Sequence, residues 1–136
     1  MNHSAHYRHA TSAYRSAATA VSPLASVVML YDGVIMALRR TIFAMERKCP
    51  EEAYNNLNEA TVILRGLCHN LDFERGGKFA ERMQETYMRL IMSSLHAFGK
   101  PDAVARLNKL VDAVRGLRDA WSELRIQLAK DEQAKS

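Results

Sequence analysis

Histidines are the residues in this chain best suited to bind a metal or to carry a proton or a phosphoryl group. His3, His6 and His9 recur every three residues in a segment that has no acidic side chain before Asp32. On a helix this spacing drifts around the surface, and in a disordered segment it supports only weak binding of transition metals. We therefore predict no metal site and no cofactor.

His69 raises the alternative of a histidine phosphotransfer domain, which is also a helical bundle with a histidine on its surface. That chemistry needs an exposed imidazole that a phosphoryl donor can approach. Asp72, three residues further on, would repel the donor. This alternative is therefore disfavoured.

Features of other enzymes are equally scarce. The sequence has no glycine-rich phosphate loop, no paired carboxylates at a spacing that would face inward, and no convincing Cys-His-acid order. A helical mutase built on Arg39, Arg65 and Arg118 stays open, although these arginines lie on three different predicted helices with no matching acid. We predict that the chain is not an enzyme.

Composition narrows the class of protein further. With 136 residues, 48% of them hydrophobic and only 7% aromatic, the chain is long enough for one core and favours helices over strands. Its longest apolar run, 27–31, is far too short to cross a bilayer, and no export signal opens the chain, so we expect a cytoplasmic protein without membrane insertion. Cys49 and Cys68 are expected to be reduced. The net charge of +4 is only a weak indication of a nucleic-acid or acidic partner, because no dense cluster of Lys and Arg accompanies it. We expect no nucleic-acid partner.

Four segments carry the three-four spacing of apolar residues that is typical of amphipathic helices. Ser22 and Pro23 suit the start of the first helix, and Pro50 with two glutamates suits the start of the second. Gly76 and Gly77 are expected to form a turn before the third helix, and Gly99 with Pro101 separates the third from the fourth. The stripes run through Leu24, Tyr31, Leu38 and Met45; Leu57, Leu64 and Leu71; Phe79, Met83, Tyr87 and Leu90; and Leu107, Val111, Val114, Trp121 and Leu124.

Short connections between helices of similar length favour antiparallel neighbours. We therefore predict an all-α fold, an antiparallel up-down-up-down four-helix bundle. Residues 21–130 are expected to form the bundle. Residues 1–20 are expected to form a flexible or loosely docked N-terminal tail, and residues 131–136 a disordered C-terminus.

The first predicted helix has more apolar surface than one core requires. Met29, Met36 and Phe43 form a second line with a seven-residue repeat, opposite the main stripe. On the third helix Ile91, Met92 and Leu95 likewise exceed one narrow stripe. One interpretation is that the first helix lies between two neighbours; the other is that these residues line a groove for another chain, for which flexible methionines are well suited.

The order of several short motifs resembles the flagellin-specific export chaperones of the FliS family. These are a tyrosine in the N-terminal tail (Tyr14), then Ser-Pro, then "MLYDGVI", then "LDFERGG", then "LRDAW". The resemblance extends from Tyr14 to about Glu123. It implies a cytosolic bundle that binds the C-terminal helical segment of flagellin, prevents premature polymerisation and supports delivery to the flagellar export apparatus. The flagellar export gate is a further partner that the resemblance implies.

Members of this family wrap the flagellin segment around their outside, in hydrophobic grooves between helices. The N-terminal tail can lie over part of that surface when flagellin is absent. The resemblance and the surplus apolar residues together predict a flagellin-binding set: Tyr14, Met29, Leu30, Asp32, Gly33, Met36, Phe43, Ile91, Met92 and Leu95. The free chain is expected to be a monomer or a weak dimer.

The chain departs from the family pattern on the third helix. Of the usual tyrosine-x-tyrosine-methionine followed by two arginines, only Tyr87 is matched, and Phe98 stands where the family has asparagine. The resemblance therefore does not extend to contacts that depend on those arginines, and Met92 and Phe98 indicate a more apolar groove. The alternative function is an interaction or dimerisation module of another flagellar regulatory protein.

Individual residues have simpler interpretations beside the functional ones. We expect Asp32 to reach solvent or to bond locally, Tyr31 to pack in the core with its hydroxyl at the rim, and Trp121 to anchor the core. The pair Arg39 and Arg40 could meet acidic residues of a client, but a solvated face is the simpler expectation.

Overall fold

A computed structural model describes residues 24–135, and within this range the chain forms four helices and no strand. The helices are α1 (Leu24–Glu46), α2 (Pro50–His69), α3 (Phe73–Ala97) and α4 (Ala103–Lys135). The prediction of an all-α four-helix bundle is confirmed. The predicted N-terminal tail, and the predicted start of α1 at Ser22 and Pro23, lie outside the described residues.

Two connections between helices, and one break within a helix, have local physical causes. After α1 the backbone of Lys48 takes a positive φ of 58°, and the amide of Cys49 bonds the carbonyl of Ala44, which closes the turn before Pro50. Asp72 caps α3 by accepting a hydrogen bond from the backbone amide of Arg75 at 3.1 Å. Gly77 has φ 51° and ψ −129° and interrupts the helical backbone, so the predicted break falls inside α3.

The helices form a ring in which α1 packs against α2 and α4, and α3 packs against the same two helices. The up-down-up-down order of directions stays a prediction, but two contacts agree with it. Gly33, in the first half of α1, faces Ile63 in the second half of α2. Tyr54, near the start of α2, packs edge-on against Phe98, which follows the end of α3.

Two tyrosines from opposite helices meet inside the bundle. Tyr31 of α1 and Tyr87 of α3 are fully buried, and their hydroxyl oxygens are 2.6 Å apart. The hydroxyl of Tyr31 is therefore bonded inside the core rather than at its rim, which corrects the expectation from the sequence. Because each hydroxyl is the other's partner, neither leaves an unsatisfied polar group in the apolar interior.

The remaining core follows the predicted stripes. Trp121 is 4% exposed and packs edge-on against Phe79 of α3, which confirms it as a core residue. Leu64 and Leu107 are fully buried. Other core residues are Val27, Val34, Leu38, Leu57, Leu67, Met83, Leu90, Val111, Val114 and Leu124.

Helix α4 extends further than the sequence suggested. Residues 131–136 were expected to be disordered, but the helical backbone continues to Lys135. The amide of Gln127 donates to Asp131 at 3.4 Å, one turn further on, and the final residues include the good helix formers alanine, lysine and glutamate. No helix among residues 24–135 is long and apolar enough to cross a membrane.

The tyrosine pair predicts a loss of stability at alkaline pH. Burial raises the pKa of Tyr87 to about 12. Burial also raises the pKa of Tyr31 well above its ordinary value, and the nearby Tyr87 raises it further. The stabilising contribution is complete below the unfolded-state pKa of about 10 and is lost as pH rises from there. We expect the two tyrosines together to lower the free energy of unfolding by up to about 2.8 kcal/mol per pH unit above this value.

Denaturant unfolding at several pH values measures this slope. The double variant Tyr31→Phe/Tyr87→Phe should show a shallower loss between about pH 10 and 12 than the wild type. The variant Tyr54→Phe is the matched control, because it removes one phenol hydroxyl from an exposed position outside the core. Identical slopes in all three proteins would contradict the assignment.

Candidate functional site

The second apolar line of α1 lies on the surface of the folded chain. We call Met29, Met36 and Phe43 the α1 apolar line; they are 72%, 54% and 60% exposed. The first interpretation given above, that α1 lies between two neighbouring helices, is correct for the helix, since α1 packs against both α2 and α4. It does not account for this line, which neither neighbour covers.

The residues that flank the α1 apolar line show why it faces outward. On one side Gly33 is half-buried against α2, where an added Cβ would lie 3.3 Å from Cδ1 of Ile63. On the other side Asp32 accepts a hydrogen bond from Nε of Arg118 on α4 at 2.8 Å. The α1 apolar line runs between these two contacts, so its side chains point away from both α2 and α4.

An open depression follows the α4 side of α1. It has a volume of about 580 Å³ and is lined by Asp32, Ile35, Met36, Arg39, Arg40 and Phe43. Three of the lining side chains are apolar, and the other three, which we call its rim, are one carboxylate and two guanidinium groups. A shape of this kind suits an amphipathic segment of another chain better than it suits a small substrate, because it does not enclose a ligand.

Asp32 joins two of the sequence segments on which the family resemblance rests. It belongs to "MLYDGVI", and its partner Arg118 belongs to "LRDAW". The expectation that Asp32 reaches solvent is met in part, because its side chain is 52% exposed, but its partner is a distant arginine rather than a local group. The hydrogen bond to Asp32 raises the pKa of Arg118 above its ordinary value. The pair keeps the rim charge of Asp32 largely compensated.

A second exposed apolar surface lies on α3. Met88, Met92 and Leu95, which we call the α3 apolar line, are all exposed. Phe79 marks the side of α3 that faces α4, through its contact with Trp121. Met88 follows Phe79 by nine residues, about two and a half helical turns, so the line lies on the side of α3 away from α4.

The predicted binding residues separate into several groups. The α1 apolar line, Asp32, Met92 and Leu95 are exposed. Leu30 and Gly33 are half-buried, with Leu30 packed against the core. Tyr14 lies outside the described residues. Ile91 is only 4% exposed and belongs to the core, so the prediction that it lies on the binding surface is wrong.

Two exposed apolar side chains, Met88 and Tyr54, were not among the residues predicted from the sequence. Met88 precedes Met92 by one turn, and this four-residue spacing could have identified it. Tyr54 on α2 is 54% exposed and contacts Phe98, with ring centroids 5.7 Å apart. Nothing local in the sequence distinguishes Tyr54, because its role depends on the end of α3 returning beside the start of α2.

No group of three or more His, Cys, Asp or Glu side chains within 24–135 is placed to hold a metal ion. No buried side-chain polar atom in this range lacks a hydrogen-bond partner.

Comparison with known proteins identifies the same family that the sequence motifs resemble. The sequence matches the family described as flagellar protein FliS over residues 6–128, and the chain belongs to this family. A relative from Campylobacter jejuni subsp. jejuni serotype O:6 (strain 81116 / NCTC 11828), named flagellar secretion chaperone FliS, is 29% identical over 97 residues. That match covers 70% of this chain and 73% of the relative.

Proposed function

We propose that this chain is a cytoplasmic flagellar secretion chaperone that binds the C-terminal segment of flagellin. In this role it keeps the segment from polymerising and presents it to the flagellar export apparatus. Family membership and the name of the Campylobacter relative support the chaperone class. Holding a client in this way requires an exposed binding surface and no chemical step.

The observation that carries the proposal is the α1 apolar line. Isolated exposed apolar residues are common on proteins, but aligned ones that line a depression, as Met36 and Phe43 do, are typical of binding surfaces. Neither α2 nor α4 covers Met36 and Phe43, so more than half of each side chain stays available for burial against a client. A flagellin segment with an apolar face would gain this area on binding.

The α3 apolar line extends the surface that a client could cover. It lies on a different helix, and α1 and α3 occupy opposite positions in the ring. A single straight helix could not contact both lines at once. An extended client that follows the outside of the bundle could do so, which agrees with the wrapping mode implied by the family resemblance.

Isothermal titration with a peptide of about the last 40 flagellin residues from the same organism tests the proposal, because burial of apolar surface gives a negative heat-capacity change. We expect saturable 1:1 binding with that signature. Absence of binding by a folded sample would contradict the proposed function. Self-association of the free chain in sedimentation, without peptide binding, would instead support the alternative of a dimerisation module.

A further inference from the structure

Arg39 and Arg40 give the rim of the α1 depression a positive charge that no ion pair among the described residues neutralises. Arg39 and Arg40 are exposed and occupy the turn between Met36 and Phe43. Among residues 24–135, neither arginine forms an ion pair with a carboxylate. A segment laid along the α1 apolar line would therefore pass beside two guanidinium groups.

The neighbouring charges differ from this pair because they already have partners. Arg118 bonds Asp32 at 2.8 Å, which compensates the carboxylate on the rim. Arg47 lies 3.6 Å from Glu52, and its guanidinium carbon is 5.2 Å from the ring centroid of Phe43. Within the described part of the chain, Arg39 and Arg40 are therefore the lining cations of the depression that have no carboxylate partner.

We propose that the α1 depression selects a stretch of the flagellin C-terminal segment in which carboxylates flank the apolar side chains. Arg39 and Arg40 bind those carboxylates, while Met36 and Phe43 contact the apolar side chains. Guanidinium groups suit this task because their planar donors match a carboxylate and their charge is permanent. The inference rests on the proposed function and specifies which part of the client meets α1.

The test compares charge removal at the depression with charge removal elsewhere. The variant Arg39→Gln/Arg40→Gln is titrated with the flagellin peptide beside the wild type and the control Arg82→Gln/Arg125→Gln, which removes two exposed arginines from α3 and α4. We expect Kd to rise about 10-fold or more in the first variant and little in the control at low salt. Raising NaCl from about 50 mM to about 300 mM should weaken wild-type binding more than binding by the first variant.

A second peptide, with its acidic residues replaced by the matching amides, completes a double-mutant cycle. It should bind the wild type more weakly, whereas Arg39→Gln/Arg40→Gln should not distinguish the two peptides. If both arginine variants bind the peptide as tightly as the wild type does, this inference is overturned and the proposed function stands. Equal losses in the two variants would also overturn it, since they would reflect overall charge. No binding by the wild type would overturn both.

Discussion

Replacing Leu107 by Glu is expected to unfold the bundle whether or not a client is present. Leu107 is fully buried in α4, within the same core as the tyrosine pair. An ionised carboxylate at this position has no partner and lacks hydration, and a protonated one still leaves polar atoms in an apolar site. We expect a loss above about 4 kcal/mol, comparable with the whole stability of many domains of this size.

Far-UV circular dichroism and thermal unfolding would measure this effect. The matched control is Ala113→Glu, which introduces the same side chain at an exposed position of α4. This control should melt close to the wild type. A Leu107→Glu protein that retains a cooperative transition near the wild-type temperature would show that the described core does not hold the bundle together.

Replacing Phe43 or Met36 by Asp is expected to weaken flagellin binding while leaving the free fold intact. Both side chains are more than half exposed in the free chain, so an aspartate in their place loses little contact with the core. In the complex each apolar side chain would be buried, and its loss should cost about 1–3 kcal/mol of binding free energy. Calorimetric titration with the flagellin peptide gives the change in Kd.

The control for these substitutions is Val62→Asp. Val62 is 54% exposed on α2 and belongs to neither the α1 nor the α3 apolar line. Its replacement should leave both Kd and helicity close to wild type. If Met36→Asp or Phe43→Asp melts the free protein, the residue contributes to the core and the assignment of the α1 apolar line is wrong. If all three variants bind equally well, the line does not contact the client.

The number and type of the elements could be predicted from the sequence because apolar residues repeat at helical spacing. Leu57 and Leu64, for example, lie seven residues apart on one face and are both buried. The end of α4 could not be predicted in the same way. Residues 131–135 have no apolar stripe, so their helix is visible only from backbone bonds and from helix-forming composition.

The candidate surface was predictable where spacing alone determines exposure. Met29, Met36 and Phe43 could be assigned from their seven-residue repeat, because the main stripe of α1 already occupied the opposite face. Ile91 and Met92 are adjacent in a broad stripe, and spacing could not tell which one faces the core. Contacts between distant residues were also beyond prediction, such as Asp32 with Arg118, 86 residues apart.

Oxidative footprinting of methionines tests most directly whether a client covers the α1 apolar line. Exposed thioethers oxidise readily to sulfoxides, and mass spectrometry resolves each site. On addition of the flagellin peptide, oxidation of Met29 and Met36 should fall. Oxidation of Met83 should change little, because this side chain is only 7% exposed in the free chain. Saturating peptide that leaves Met29 and Met36 as reactive as in the free chain would contradict the assignment of this line as the client-binding surface.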